Sequence, residues 1–78
     1  MRTVDGFGSR ILYEGTAGED VAELQRKLES LGYNVGPIDG IFGPLTRKGV
    51  MRFQKEHGLV VDGIVGEQTF DMLEQLIP

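Results

Sequence analysis

The chain has no cysteine and no tryptophan, and its only histidine is His57. Without cysteine there is no disulfide and no thiolate metal site. One histidine cannot build a histidine-based metal centre. No metal and no cofactor are therefore expected. Long apolar runs are also missing; none approaches the roughly 18–20 residues that span a bilayer. Met1-Arg2-Thr3-Val4-Asp5-Gly6 lacks the apolar centre of an export signal, so any such signal is expected outside this sequence. A basic excess is absent too. Eight Lys and Arg face twelve Asp and Glu, for a net charge of −4. That balance counts against nucleic acid as a partner.

Catalytic constellations are equally scarce. Hydrolysis needs a liganded metal, a nucleophile with its base, or, for a sugar, two carboxylates flanking the bond. Ser9 and Ser30 have no catalytic base marked out for them by sequence, and His57 sits at an expected helix end. There it packs on the core or bonds a terminal carbonyl. No catalysis is expected.

What the chain does have is a duplication. Asp39-Gly40-Ile41-Phe42-Gly43-Pro44-Leu45-Thr46 returns 23 residues later as Asp62-Gly63-Ile64-Val65-Gly66-Glu67-Gln68-Thr69. Seventy-eight residues make one domain, and a repeat this short cannot bury a face alone, so the two copies must pack together. Asp39 and Asp62 precede glycine, and an Asp carboxylate accepts hydrogen bonds from backbone N–H groups two or three residues on. Gly40 and Gly63 adopt positive φ without a Cβ clash. Ile41 and Ile64 are then expected to plug the core, and Gly43 and Gly66 to turn the chain into a helix. Thr46 and Thr69 fall in the first helical turn, where a hydroxyl satisfies a free backbone group. The eight residues Asp39, Gly40, Gly43, Thr46, Asp62, Gly63, Gly66 and Thr69 are thus read as structural. A calcium loop needs oxygen ligands at alternate positions, and Ile41, Gly43 and Leu45 supply none.

Three helices follow from apolar spacing. Val21, Leu24, Leu28 and Leu31 share a face from about residue 19 to 31, with Gly32 as stop. A second helix opens at Pro44, carries Thr46, Val50, Phe53 and His57 on one face, and ends at Gly58. A third covers about 67 to 76, with Phe70, Leu73 and Ile77 as its stripe. Leu24-Gln25 parallels Phe53-Gln54, and Leu31-Gly32-Tyr33 parallels His57-Gly58-Leu59, so the repeat extends beyond the loops. Arg10-Ile11-Leu12-Tyr13 is a short extended segment lying on the core. The expected architecture is an all-α, compact three-helix bundle with two equivalent Asp-Gly loops and a short extended N-terminal segment. Residues 1–9 are read as a tail or linker, and 10–78 as the domain.

This ordered set closely resembles the small three-helix peptidoglycan-binding domain found beside bacterial cell-wall hydrolases. The residues that carry it are Asp20-Val21, Leu24-Gln25, Leu28, Leu31-Gly32-Tyr33, the two Asp-Gly loops, Val50, Phe53-Gln54, Gly58-Leu59 and Thr69. The resemblance covers about Arg10 to Leu76. It implies a non-catalytic module that binds peptidoglycan and targets a covalently attached catalytic domain, outside the cell or in the wall, as a monomer. It implies no membrane and no nucleic acid as partner. One departure is Gly49, where the family usually has alanine; mid-helix glycine costs roughly 1 kcal/mol.

Candidate ligand contacts are Tyr33, Phe42, Arg47, Arg52 and Gln54, forming a groove between the second helix and the first Asp-Gly loop. An arginine grips a carboxylate in bidentate fashion, the aromatics face sugar or peptide, and Gln54 bonds an amide. Blander readings stand beside these. Charged residues form a solvated helix face, Tyr33 and Phe42 belong to the core, and Gln25 and Gln54 tie down the loops that follow them. Two other functions remain open: a protein-interaction or prodomain-like regulatory module, in which acidic Glu67, Asp71 and Glu74 meet a basic partner, and DNA binding by the basic second helix. The negative total and the long glycine loops disfavour the latter.

Overall fold

The computed structural model describes residues 7–77. Three helices form: α1 (Glu19–Ser30), α2 (Pro44–Glu56) and α3 (Glu67–Leu76). Helix α1 stops because Gly32 takes φ 96°, allowing Tyr33 N–H to reach Leu28 C=O and Gly32 N–H to reach Glu29 C=O. The same paired closure ends α2. Gly58 has φ 71°, Leu59 N–H donates to Gln54 C=O, and Gly58 N–H donates to Lys55 C=O. Both are Schellman terminations, which require the left-handed residue that glycine supplies without a Cβ clash. The repeat thus includes its helix stops. Pro44 takes the first position of α2, where no N–H is needed.

The core is one cluster. Val21, Leu24 and Leu28 from α1 meet Val50 and Phe53 from α2 and Phe70 and Leu73 from α3, with Tyr33, Val35, Phe42 and Val65 from the connections. Phe53 stands edge-on to Tyr33, with ring centroids 5.7 Å apart. His57 lies 4.4 Å from Phe53, and its Nδ1 is 2.9 Å from the Phe53 carbonyl oxygen, so it both packs and caps.

The N-terminal segment crosses both Asp-Gly loops. Leu12 and Val65 exchange backbone hydrogen bonds of 3.1 and 2.7 Å as an antiparallel bridge. Further on, Gly15 N–H donates to Phe42 C=O, Phe42 N–H to Thr16 C=O, and Gly18 N–H to Gly40 C=O. Arg10 fastens this segment to α1 through Asp20, at 2.8 and 3.0 Å, and donates to Ala17 C=O at 2.7 Å. Of the tail expected over 1–9, residues 1–6 lie outside the described residues. Phe7 is only 4% exposed and stands edge-on to Phe70 at 5.0 Å, so core packing begins before Arg10.

One expectation fails by one residue. Ile41 and Ile64 do not plug the core; they are 57% and 41% exposed. Phe42 and Val65 are buried instead. Extended backbone alternates its side chains. The bridges to Leu12 and Ala17 set which face points inward, and they turn Phe42 and Val65 in and the isoleucines out.

Candidate functional site

Each Asp-Gly loop is held by a buried glutamine. Gln25 Oε1 accepts from Asp39 N–H (3.1 Å) and Gly40 N–H (3.0 Å). Its Nε2 donates towards Asp39 Oδ1 (3.2 Å), Ile41 C=O (3.0 Å) and Thr46 Oγ1 (3.0 Å). Gln54 repeats the pattern atom for atom. Its Oε1 accepts from Asp62 N–H (3.1 Å) and Gly63 N–H (3.0 Å), and its Nε2 faces Asp62 Oδ1 (3.0 Å), Ile64 C=O (2.9 Å) and Thr69 Oγ1 (3.2 Å). Asp39 Oδ1 also takes Ile41 N–H, and Asp62 Oδ1 takes Ile64 N–H, both at 2.9 Å. Gly40 and Gly63 have φ of 75° and 73°. The Asp39 carboxyl is held below its ordinary range, first by the Ile41 N–H and then by the Gln25 amide.

This arrangement removes Gln54 from the ligand candidates, because it is buried and its amide is saturated within the loop. Phe42 is removed as well, since its ring is in the core. Thr46 and Thr69 do not cap their helices; α2 and α3 start without a side-chain cap, and both hydroxyls serve the glutamines. Tyr33 is buried too, and its hydroxyl donates to Glu56 Oε1 at 2.7 Å. Burial and then that hydrogen bond raise the Tyr33 pKa, and the same contact is the main cause that lowers Glu56. Arg52 lies 5.8 Å from the Tyr33 ring centroid and 3.4 Å from Glu56 Oε2, so it already has partners. Arg47 is exposed and forms no ion pair among the described residues; its stem lies across Gly63, where a Cβ would sit 3.0 Å from Arg47 Cγ. Arg47 thus sits on the second loop while Tyr33 and Arg52 form a separate group with Glu56. The five candidates do not share a groove.

Concave surface is found at the loops themselves. A first groove of about 170 Å³ runs between the Asp39 loop and the start of α2, lined by Val35, Pro37, Asp39, Ile41, Gly43, Pro44 and Leu45 over Gln25 and Thr46. A second, of about 220 Å³, is lined by Val60, Asp62, Ile64, Gly66, Glu67 and Gln68 over Gln54 and Thr69. Apart from Val35, which has no counterpart there, its positions match those of the first under the internal repeat. The floors are the same; the walls are not, with Pro44 and Leu45 replaced by Glu67 and Gln68. Both volumes fall below the ~300 Å³ of ordinary small-molecule pockets, so each has room for one chemical group; wider hollows of about 360 and 340 Å³ lie beside Arg10 and Phe70 and between Ala22 and Gly40. Sequence reasoning missed Pro37, Ile41 and Leu45 as lining residues. Their signal was apolar character away from any helix stripe.

Among the described residues no group of three His, Cys, Asp or Glu is gathered to hold a metal ion, and no helix is long and apolar enough to cross a membrane.

Duplicated clasps, capless helix starts and paired shallow grooves define a small binding domain. Residues 17–73 match the family model of the peptidoglycan binding domain, and the chain belongs to that family. It is 40% identical over 73 residues to a spore cortex-lytic enzyme of Bacillus cereus, a match that takes 94% of this chain but 28% of the enzyme. It is 46% identical over 72 residues to the zinc D-Ala-D-Ala carboxypeptidase of Streptomyces albus G, covering 87% of this chain and 28% of that protein. The crystal structure of the SleB N-terminal domain superposes with a TM-score of 0.86 at 39% identity, covering 91% of this chain and 97% of that one. The chain thus corresponds to the binding part of such hydrolases, and the catalytic domain is not within it.

Proposed function

We propose that this domain holds peptidoglycan and so keeps an attached cell-wall hydrolase at its substrate, outside the cell or in the wall. The observation that carries the reading is the family match over residues 17–73, joined to a groove suited to one wall group at the Asp39 loop. Pro37, Ile41 and Leu45 give that groove an apolar wall for a methyl or a sugar face. Arg47, exposed and without an ion-pair partner among the described residues, supplies a cation for a wall carboxylate. Grooves this shallow bind weakly, and a weak module acts by raising the local concentration of what is tethered to it. The domain acts as a monomer in this reading.

The test is sedimentation with purified sacculi. The wild-type domain is expected to pellet with them, and Leu45→Asp to remain in the supernatant while melting as the wild type does. A folded wild-type domain that stays in solution at every sacculus concentration refutes the assignment.

A further inference from the structure

We propose that Asp39-Gly40 and Asp62-Gly63 are latent self-modification sites, and that each glutamine clasp keeps its pair from closing to a cyclic imide and reopening as isoaspartate. The inference goes beyond the peptidoglycan reading and does not depend on it. Glycine after aspartate leaves the intervening peptide nitrogen unscreened by a Cβ, and both carboxylates are exposed to water. An Asp-Gly pair in an exposed loop is therefore prone to ring closure. The reaction balances within the chain. The Gly63 nitrogen attacks Cγ of the protonated Asp62 carboxyl; a C–N bond forms, the C–OH bond breaks, and the hydroxyl leaves with the amide proton as water. Water then opens the imide at either carbonyl. One cut restores aspartate; the other routes the backbone through Cγ and adds a methylene to it. The fold opposes each requirement of the first step. The attacking nitrogen must give up its proton, yet Gly40 N–H and Gly63 N–H are each held 3.0 Å from a glutamine Oε1. Cγ must swing onto that nitrogen, yet Oδ1 is fixed at 2.9 Å to the N–H one residue further on, and also to the glutamine Nε2. The carboxyl must be protonated, yet Ile41 N–H and then the Gln25 amide hold Asp39 below its ordinary range. The Gly18 carbonyl oxygen covers Gly40, and the Arg47 stem covers Gly63. An added methylene would carry the two N–H groups apart, beyond the reach of one glutamine oxygen, so a single lesion would abolish the clasp that had prevented it.

The test is ageing of the wild type, Gln25→Met and Gln54→Met at neutral pH, with isoaspartate located by peptide mapping. Methionine keeps the side-chain length and removes both the acceptor and the donor of the clasp. The untouched loop in each variant gauges global unfolding within the same molecule. Asp5-Gly6 lies outside the described residues and is mapped separately. The folded wild type is expected to form isoaspartate at either loop about a hundredfold more slowly than in denaturing urea, because reaction requires local opening. Gln54→Met is expected to speed the reaction at Asp62 at least about tenfold over that at Asp39, and Gln25→Met to do the reverse. Below the urea transition, the wild-type rate at each loop is expected to follow hydrogen exchange of its own glycine amide, a reading that needs no variant. Equal rates in folded and unfolded wild type overturn the proposal, and so does a rate that ignores that exchange. A methionine variant that is folded by circular dichroism yet ages equally at both loops removes the glutamine as the guard.

Discussion

Gln54→Glu changes one NH₂ group into an oxygen and leaves side-chain shape untouched, so it isolates what the clasp contributes. In the wild type Nε2 faces three acceptors, Asp62 Oδ1, Ile64 C=O and Thr69 Oγ1, at 2.9–3.2 Å. With glutamate all three face an oxygen. Two N–H protons are lost: Ile64 C=O is left unpaired at about 1–3 kcal/mol, Asp62 Oδ1 keeps only its Ile64 N–H, and the Thr69 hydroxyl must turn to donate. A carboxylate is also placed against the Asp62 carboxylate. The total comes to about 3–5 kcal/mol, against a stability on the order of 5–10 kcal/mol for a domain of this length. The melting temperature should fall by roughly 15–30 °C. Gln25→Glu should cost about the same, because the first loop makes the same five contacts. The sign of the pH effect follows from burial. Burial and Asp62 raise the introduced carboxyl's folded pKa above its unfolded value of about 4.3. The deficit relative to wild type is therefore smallest below that value and grows as pH rises through the folded pKa. The assay is urea and thermal unfolding by circular dichroism from pH 3 to 8. A deficit under about 1 kcal/mol at pH 7 would refute the clasp as the element that holds the loops.

Four further outcomes are expected. Gly49→Ala should destabilise by up to about 2 kcal/mol despite a helix-propensity gain near 1, since its Cβ would lie 2.6 Å from Val35 Cγ1 and 3.2 Å from the Asn34 carbonyl oxygen. The same change in a Val35→Ala background should stabilise, which a urea double-mutant cycle reads directly. Phe7→Ala should cost about 3 kcal/mol through the lost edge-to-face packing on Phe70; a neutral result in thermal melts would return Phe7 to the tail. Asp20 is held below its ordinary pKa, chiefly by the Arg10 hydrogen bond, so its contribution is present above about pH 4 and lost as pH falls through the folded pKa. Arg10→Ala should raise the Asp20 pKa in an NMR titration and flatten that acid loss. In sacculus sedimentation Arg47→Ala should weaken binding more than Arg52→Ala, because Glu56 and Tyr33 already hold Arg52; the reverse order would move the cation contact to the Tyr33 side.

The helices were legible because their punctuation is local. Pro44, Gly32 and Gly58 mark ends that backbone sterics enforce whatever the surroundings. The glutamine clasps were half legible: equivalent positions in a repeat point to one shared duty, yet Gln54 was also read as a ligand contact. What stayed hidden depends on chain that is distant in sequence. Phe42 and Ile41 are neighbours of similar hydropathy, and only the bridge to the N-terminal segment decides which one turns inward. Arg10 and Asp20 pair across a bend that carries no pattern. Phe7 stands alone among glycines, so periodicity could not place it. The five-residue groove failed because charge and aromatic content were read without knowing which side chains the core had already taken.

The N-terminal crossing changes what the duplication means. Leu12 closes the later copy and Thr16 the earlier one. Neither half carries its own closing strand, so neither can stand as an independent unit, and loosening the shared strap should slacken both corners together. A structure that reads as two copies is thermodynamically a single piece, held shut by a segment that belongs to neither.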